Sequence, residues 1–214
     1  MLNYAPLAVR VTTPRLELAG ASDDLLQRLE PVVRAGKAAA APAPYDDPMS
    51  LYEEDPDVRV RKWLQGIWRG RGSVTSEFWR LYFVVVVDGQ PVGMQDLIGD
   101  QFNVFGTITS FSWLSIDLRR RGLGREMRQA MLHLAFEGLD AKEATTEAFL
   151  DNPGSNGVSR AAGYSENGLT WATRRGEPGL MQSWRITRAD WIARRRTNIE
   201  LHGVAECKEA LELE

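Results

Sequence analysis

The stretch that most limits how this chain can fold is WRLYFVVVVDGQPVGMQDL, from Trp79 to Leu97. Leu81 to Val87 is an unbroken apolar, β-branched run. A half-buried strand would alternate polar and apolar, so this one is expected to be covered on both faces, central to a sheet. Asp88-Gly89 then supplies two residues that tolerate positive φ, and a second strand pattern follows, which together predict a hairpin.

The remaining patterns surround that hairpin with both element types. TTPRLEL reads as an edge strand with Leu16 and Leu18 on one side. Ser22 is placed to cap a helix carrying Leu25, Leu26 and Leu29, with Asp23 and Asp24 in its first turn. The prolines of residues 36–58 predict an irregular insertion, after which Val60, Trp63, Leu64 and Ile67 have helical spacing. FGTITSFSWLSID is a strand with Ile108, Ser110, Ser112, Leu114 and Ile116 on one side. Thr109, Phe111, Trp113 and Ser115 fall on the other side. A helix with Leu123, Met127, Ala130, Met131, Leu134 and Gly138 on one face comes next, followed by the strand EATTEAFL, a loop with a short helix, and two final strands. This order predicts an α+β fold with a mixed, mostly antiparallel central sheet flanked by helices. A single domain is expected over residues 1–196, with residues 197–214 as an acidic tail.

Composition excludes several function classes. The net charge of −3 disfavours a polyanion, so nucleic-acid binding would need a local basic patch. A single cysteine allows neither an internal disulfide nor a Cys-based zinc site, and no metal is expected. That fits a reducing cytoplasm. MLNYAPLAVRVTTPRLEL has no continuous apolar core of a signal peptide, and no uncharged apolar run nears about 20 residues. A cytoplasmic protein without a membrane span is therefore expected.

The most informative short motif is RRRGLGRE, Arg119 to Glu126, where a strand ends and a helix begins. A helix N-terminus leaves backbone N–H groups without partners and carries a partial positive charge. Gly122 and Gly124 remove side chains there, so a bulky anion could approach the amides, and arginines add planar donors for phosphate oxygens. A dinucleotide fingerprint is excluded because Met127 stands where a third glycine belongs, and a Walker loop because Gly-Lys-Ser/Thr is missing. A solvated arginine face is the plain alternative.

Arg119 to Gly124 also resembles the pyrophosphate loop, Arg-x-x-Gly-x-Gly, of the GNAT N-acetyltransferases. FLDNPGSNGVSRAAGYSENG is similar to the Asn-x-x-Ser … Gly-Tyr segment of their RimJ/RimL-like branch, as are TPRLEL and SFSWL. The likeness runs from about Thr13 to Trp191 and leaves the insertion and the tail unexplained. It implies the GNAT acyl-CoA N-acyltransferase fold, acetyl-CoA as cosubstrate, and transfer of an acetyl group to a primary amine. It puts Leu114, Ser115 and Ile116 along the pantetheine arm through backbone hydrogen bonds. Arg119, Arg121, Gly122, Leu123 and Gly124 would surround the diphosphate, and Asn152 and Ser155 would lie near the thiol end.

Direct attack by an amine needs a base, a polarised thioester and a proton for the leaving sulfur. An α-amine, with a pKa near ~7.8, is often neutral already, whereas a lysine amine near ~10.4 starts about 4 kcal/mol away from its neutral form. Glu147, five residues before Asn152, is the candidate base by resemblance to Rim-type enzymes; an outward-pointing glutamate that solvates the sheet is the alternative. Asp117 is a weaker candidate base and more a cap at the loop. Position 159, where the family often has a tyrosine acid, is Ser159, so Ser155 or Ser159 is left to donate to sulfur. Tyr164 is expected to be structural. His133 is expected on a polar helix face beside Glu126, and Cys207 to be inert among acidic neighbours. Trp63 and Trp113 read as core, while Trp68, Trp79, Tyr45 and Tyr52 could wall an acceptor cleft. Asp46, Asp47, Glu53, Glu54 and Asp55 could attract a cationic acceptor, although a solvated acidic loop is the plainer reading. The acceptor is an amine-bearing small molecule or a peptide N-terminus, with no nucleic acid or membrane involved. The tail could pack on a second copy as a homodimer. A protein that binds acetyl-CoA as a sensor, without turnover, is the alternative function.

Overall fold

The computed structural model describes residues 4–38, 50–174 and 176–213. Tyr45, Asp46 and Asp47 lie outside them. The chain order is β1 (Arg10–Thr12), β2 (Glu17–Gly20), α1 (Asp23–Arg34), α2 (Pro56–Gly72), β3 (Phe78–Val87), β4 (Gln90–Asp100), α3 (Phe102–Phe105) and β5 (Thr107–Leu114). It continues with α4 (Leu123–His133), β6 (Glu143–Phe149), α5 (Pro153–Ala162), β7 (Ser165–Arg174), β8 (Glu177–Thr187), α6 (Arg188–Ile192), β9 (Glu200–His202) and α7 (Val204–Ala210). The nine strands of the described residues form one sheet in the order β7-β8-β6-β5-β4-β3-β2-β1-β9. Among the described residues, only the β5–β6 pair is parallel.

The β3–β4 hairpin turns through Asp88 and Gly89, both at positive φ (49° and 75°), as a two-residue turn matched to strand twist requires. Leu81 to Val85 are buried, and their side chains alternate between two cores. Trp79, Leu81, Phe83 and Val85 pack on the side of α4. Tyr82, Val84, Met94 and Trp113 pack on the side of α1 and α2.

Capping explains where those two helices begin. Ser22 accepts from Leu25 N at 3.3 Å, and α1 buries Leu25, Leu26, Leu29 and Val33. The irregular insertion expected up to residue 58 ends earlier, because α2 begins at Pro56. A proline is tolerated at a first helical position, and Asp55 caps the end by accepting from Asp57 N (2.8 Å) and Val58 N (3.1 Å). Asp55 is therefore a helix cap.

Residues 197–213, expected as a tail, enter the fold. β9 pairs antiparallel with β1, and Ile199, Cys207 and Leu211 are buried in the α4-side core. Trp63 and Trp79 are fully buried, Trp113 nearly so, and Trp68 is 51% exposed.

Candidate active site

The strand pairing that closes the middle of the sheet stops early. β5 and β6 pair only from Thr107↔Glu143 to Thr109↔Thr145. The last tie beyond is Thr146 Oγ1 donating to Ser110 O at 3.3 Å. Past it the two strands pair elsewhere, β5 with β4 and β6 with β8, and a gap opens between them. Ser115 donates its N–H to Val92 O at 2.8 Å, toward β4. Main-chain groups alternate direction along a strand, so those of Ser112 and Leu114 face the gap. Ile116 N–H also has this direction but already donates to Lys37 O at 2.9 Å. Of the three residues expected along a pantetheine arm, Leu114 turns its main chain to the opening, with its carbonyl already accepting from Arg119 Nε at 3.3 Å. Ser112 was not anticipated.

The mouth of the gap holds the start of α4. Gly122, at φ 80° and ψ −6°, is its N-cap and makes no side-chain cap bond. The first turn's N–H groups, from Leu123 on, therefore lack helical partners. A left-handed residue followed by a helical one turns successive N–H groups into one concavity, a geometry suited to an anion. A Cβ at Gly124 would lie 3.5 Å from Val158 Cγ2 and 4.0 Å from Leu114 Cδ1, so this residue sits where α4 meets α5 and the end of β5.

The arginines divide by role. Arg119 spans the mouth, with Nε on Leu114 O and Nη2 on Ala38 O, both at 3.3 Å, and burial lowers its pKa. Arg120, Arg121 and Arg125 are exposed and make no ion pair among the described residues. Arg120 is held at φ 58°. Asp117 pairs with Lys37 Nζ at 2.5 Å.

A brace behind this loop was missed in the sequence. Glu126, read as a polar-face residue, is 3% exposed. It accepts from Thr13 Oγ1 (2.7 Å), Arg15 N (3.1 Å) and Arg15 Nε (2.6 Å), while Arg15 Nη1 donates to Arg121 O (3.0 Å). TPRLEL, expected as an edge strand, leads instead into β2, which is interior because it pairs with both β1 and β3, and it clamps the loop. Burial pushes the Glu126 carboxyl up, but the hydrogen bonds from Thr13 and Arg15 outweigh it and leave its pKa lowered. His133, expected to be solvated, is half-buried against Trp191, at 5.8 Å between ring centres, and burial lowers its pKa.

On the far side of the gap, Asn152 caps α5, its Oδ1 accepting from Ser155 N at 3.1 Å. Asn156 ties this helix down by donating to Phe149 O (2.8 Å) and accepting from Trp184 Nε1 (2.9 Å). Ser155 is half-buried at the same helix end. Ser159 has no exposed surface, so it is sealed from a substrate in the gap, contrary to the expectation that it donates to sulfur.

Glu147 stands on the opposite face of the sheet from α4. Thr109 and Thr145 touch through their hydroxyls at 2.9 Å on the Trp113 side, and Glu147 is one strand repeat further along. It is exposed and accepts from Ser183 Oγ at 2.8 Å. Beyond it, a groove of ≈ 470 Å³ is lined by Phe149, Asp151, Trp171, Arg174 and Glu177 among others. Asp151 holds Arg174 by two bonds of 2.6 and 2.7 Å.

The family model described as "Acetyltransferase (GNAT) domain" matches residues 28–165, more than half of the chain. The chain belongs to the GNAT acetyltransferase family. It is an acyltransferase of the kind that uses acetyl-CoA. Solved structures share its fold at low identity. RimL, the ribosomal L7/L12 alpha-N-protein acetyltransferase in complex with coenzyme A, is 17% identical with a TM-score of 0.65, covering 82% of this chain and 95% of that one. Spermidine N-acetyltransferase from Vibrio cholerae, in complex with CoA and spermine, is 14% identical with a TM-score of 0.64, covering 83% and 98%. A GCN5-related N-acetyltransferase from Brucella melitensis is 16% identical with a TM-score of 0.65, covering 86% and 80%. Among the described residues, no helix of this GNAT protein is long and apolar enough to cross a membrane.

Proposed function

We propose that this GNAT protein moves the acetyl group of acetyl-CoA to a primary amine by direct attack in a ternary complex. The observation that carries the reading is the uncapped start of α4 at the mouth of the β5–β6 gap, with strand-edge groups of Ser112 and Leu114 leading inward. These residues fit the coenzyme. The α4 amides, Gly122, Leu123 and Gly124, with Arg119 and Arg121, would hold the diphosphate, and Leu114 the pantetheine arm. Asn152 and Ser155, at the start of α5, would flank its thiol end. Acetyl-CoA supplies the activated thioester, so no covalent enzyme nucleophile is required. Cys207 is no rival, because burial pushes its thiol up to about 12.

In this reading the amine enters from the Trp113 face, where Glu147 receives its proton directly or through water. The hydroxyl of Ser183 orients that carboxylate. Juxtaposition of the two reactants supplies much of the rate. The acceptor class is a small amine or a peptide N-terminus. The reading also includes a cytoplasmic setting and assigns the arginine run to coenzyme rather than to nucleic acid.

Calorimetry with acetyl-CoA, followed by thiol release against α-amino peptides, polyamines and aminoglycosides, tests the proposal. Glu147→Gln should lower kcat/KM by about 10²-fold or more while leaving acetyl-CoA affinity unchanged. Equal turnover by the variant would remove Glu147 from the mechanism. The sealed position of Ser159 favours a second reading, a coenzyme-binding protein without turnover. Binding with no thiol release on any acceptor would select it.

A further inference from the structure

Directly behind the closed end of the gap lies a cation with no counter-charge. Arg128, on α4, is 3% exposed, and its Nε and Nη1 have no hydrogen-bond partner. No carboxylate pairs with it among the described residues. Glu126, two positions earlier on the same helix, is held by Thr13 and Arg15. The guanidinium stacks over the ring of Tyr164 at 5.6 Å. The buried hydroxyl of Tyr164 faces both Arg128 and Ser110. Burial pushes its pKa up, and the hydrogen-bonding reach of Arg128 and Ser110 pulls it the other way.

A buried charge without a partner is strongly unfavourable, and a fixed charge beside a site acts on any opposite charge that develops there. The position suggests which charge that is. Ser110 follows Thr109, where the β5–β6 ladder ends. Leu114, at the mouth, is four residues away, about 13 Å of strand edge. An arm anchored by its phosphates at α4 and laid along that edge brings its sulfur toward Ser110.

We propose that Arg128 is a positioning residue for the leaving group: its uncompensated charge, behind Ser110 and Tyr164, stabilises the negative charge that develops on the sulfur of CoA. In the transfer, the amine nitrogen bonds to the acyl carbon and the carbon–sulfur bond breaks. Its electron pair goes to sulfur, and the amine's proton goes to Glu147. The thiolate is then protonated from solvent, to which Glu147 returns the amine's proton. Arg128 thereby answers for the absence of an accessible acid at Ser159, and the inference rests on the acetyl-CoA reading of the site.

The test is the acidity of the thiol of CoA bound to the full chain, followed by the ultraviolet absorbance of the thiolate. Cys207, the only cysteine and pushed up to about 12, stays silent below that pH. In wild type the bound thiol should titrate below free CoA in the same buffer. Arg128→Met should reduce its acid constant by about tenfold, the effect of one charge some ~10 Å away in a partly screened interior. Arg128→Lys should retain most of the wild-type shift. Calorimetry at a pH where the thiol is neutral should give similar CoA affinity for all three, which separates this inference from the binding reading. A wild-type bound thiol no more acidic than free CoA overturns the proposal without any variant, as does an unchanged titration in Arg128→Met. Should that variant not fold, Arg128→Gln is read in the same way. Failure of the wild type to bind CoA would overturn both this proposal and the acetyl-CoA reading.

Discussion

Replacing Glu126 by Gln removes a charge from a site that is otherwise almost isosteric. The native carboxylate is 3% exposed and accepts from Thr13 Oγ1, Arg15 N and Arg15 Nε, with Arg15 Nη2 at 2.6 Å. A glutamine keeps one acceptor for the Thr13 side but turns an NH2 toward the guanidinium. Two charge-assisted bonds are lost, each worth roughly 1.5–3 kcal/mol when buried. Arg15 is half exposed and regains water, so the net loss should be nearer ~2 kcal/mol. With a urea dependence near ~2 kcal/mol per molar, the unfolding midpoint should fall by about 1 M. The acid limb adds a sign test. The lowered native pKa means that this group's stabilisation is complete above the unfolded value, near ~4.3, and is lost as pH falls through the native value. The gap between wild type and variant should therefore narrow below about pH 4. Because Arg15 also holds Arg121 O, acetyl-CoA affinity should weaken several-fold. A midpoint shift under about 0.2 M at pH 7, or a gap that widens in acid, would refute the reasoning.

Other outcomes follow from local geometry. Gly122→Ala must hold a Cβ at φ 80°, 3.4 Å from Arg15 Nη2, which should cost roughly 1–2 kcal/mol of stability, read as a lower urea midpoint. Cys207 has no exposed surface, so a thiol reagent should label it only as the protein unfolds, at the rate seen by circular dichroism. Truncation after residue 196 removes β9 and α7 and uncovers β1; the loss of buried Ile199, Cys207 and Leu211 should exceed ~4 kcal/mol. Size exclusion should then show aggregation, and a stable truncated monomer would contradict this.

The order of strands and helices was legible where periodicity was strong. The hairpin at Asp88-Gly89, the Ser22 cap and the two faces of β5 follow from neighbours within a few residues, which is the range over which turn chemistry and side-chain alternation act. The α2 start was misplaced because Pro56 looks like a breaker until Asp55 is seen to cap it. β9 and α7 are short and weakly patterned, and they form because β1 offers an edge and the α4-side core accepts Cys207 and Leu211. Side chains were harder to place than elements. Glu126 and His133 share the polar pattern of α4, yet TPRLEL covers one and Trp191 the other.

Sequence alone placed a glycine-bearing helix start after a strand, because backbone donors at a helix end are a local property, while the family and the coenzyme were implied by the resemblance of several motifs. Only the tertiary structure decided which main-chain edges face the gap, that Glu147 lies on the face opposite α4, and that Arg128 is buried without a counter-ion. Those depend on which distant segments meet, 113 residues apart in the case of Thr13 and Glu126. Burial and pairing are set by such meetings, and they leave no periodic mark on the chain.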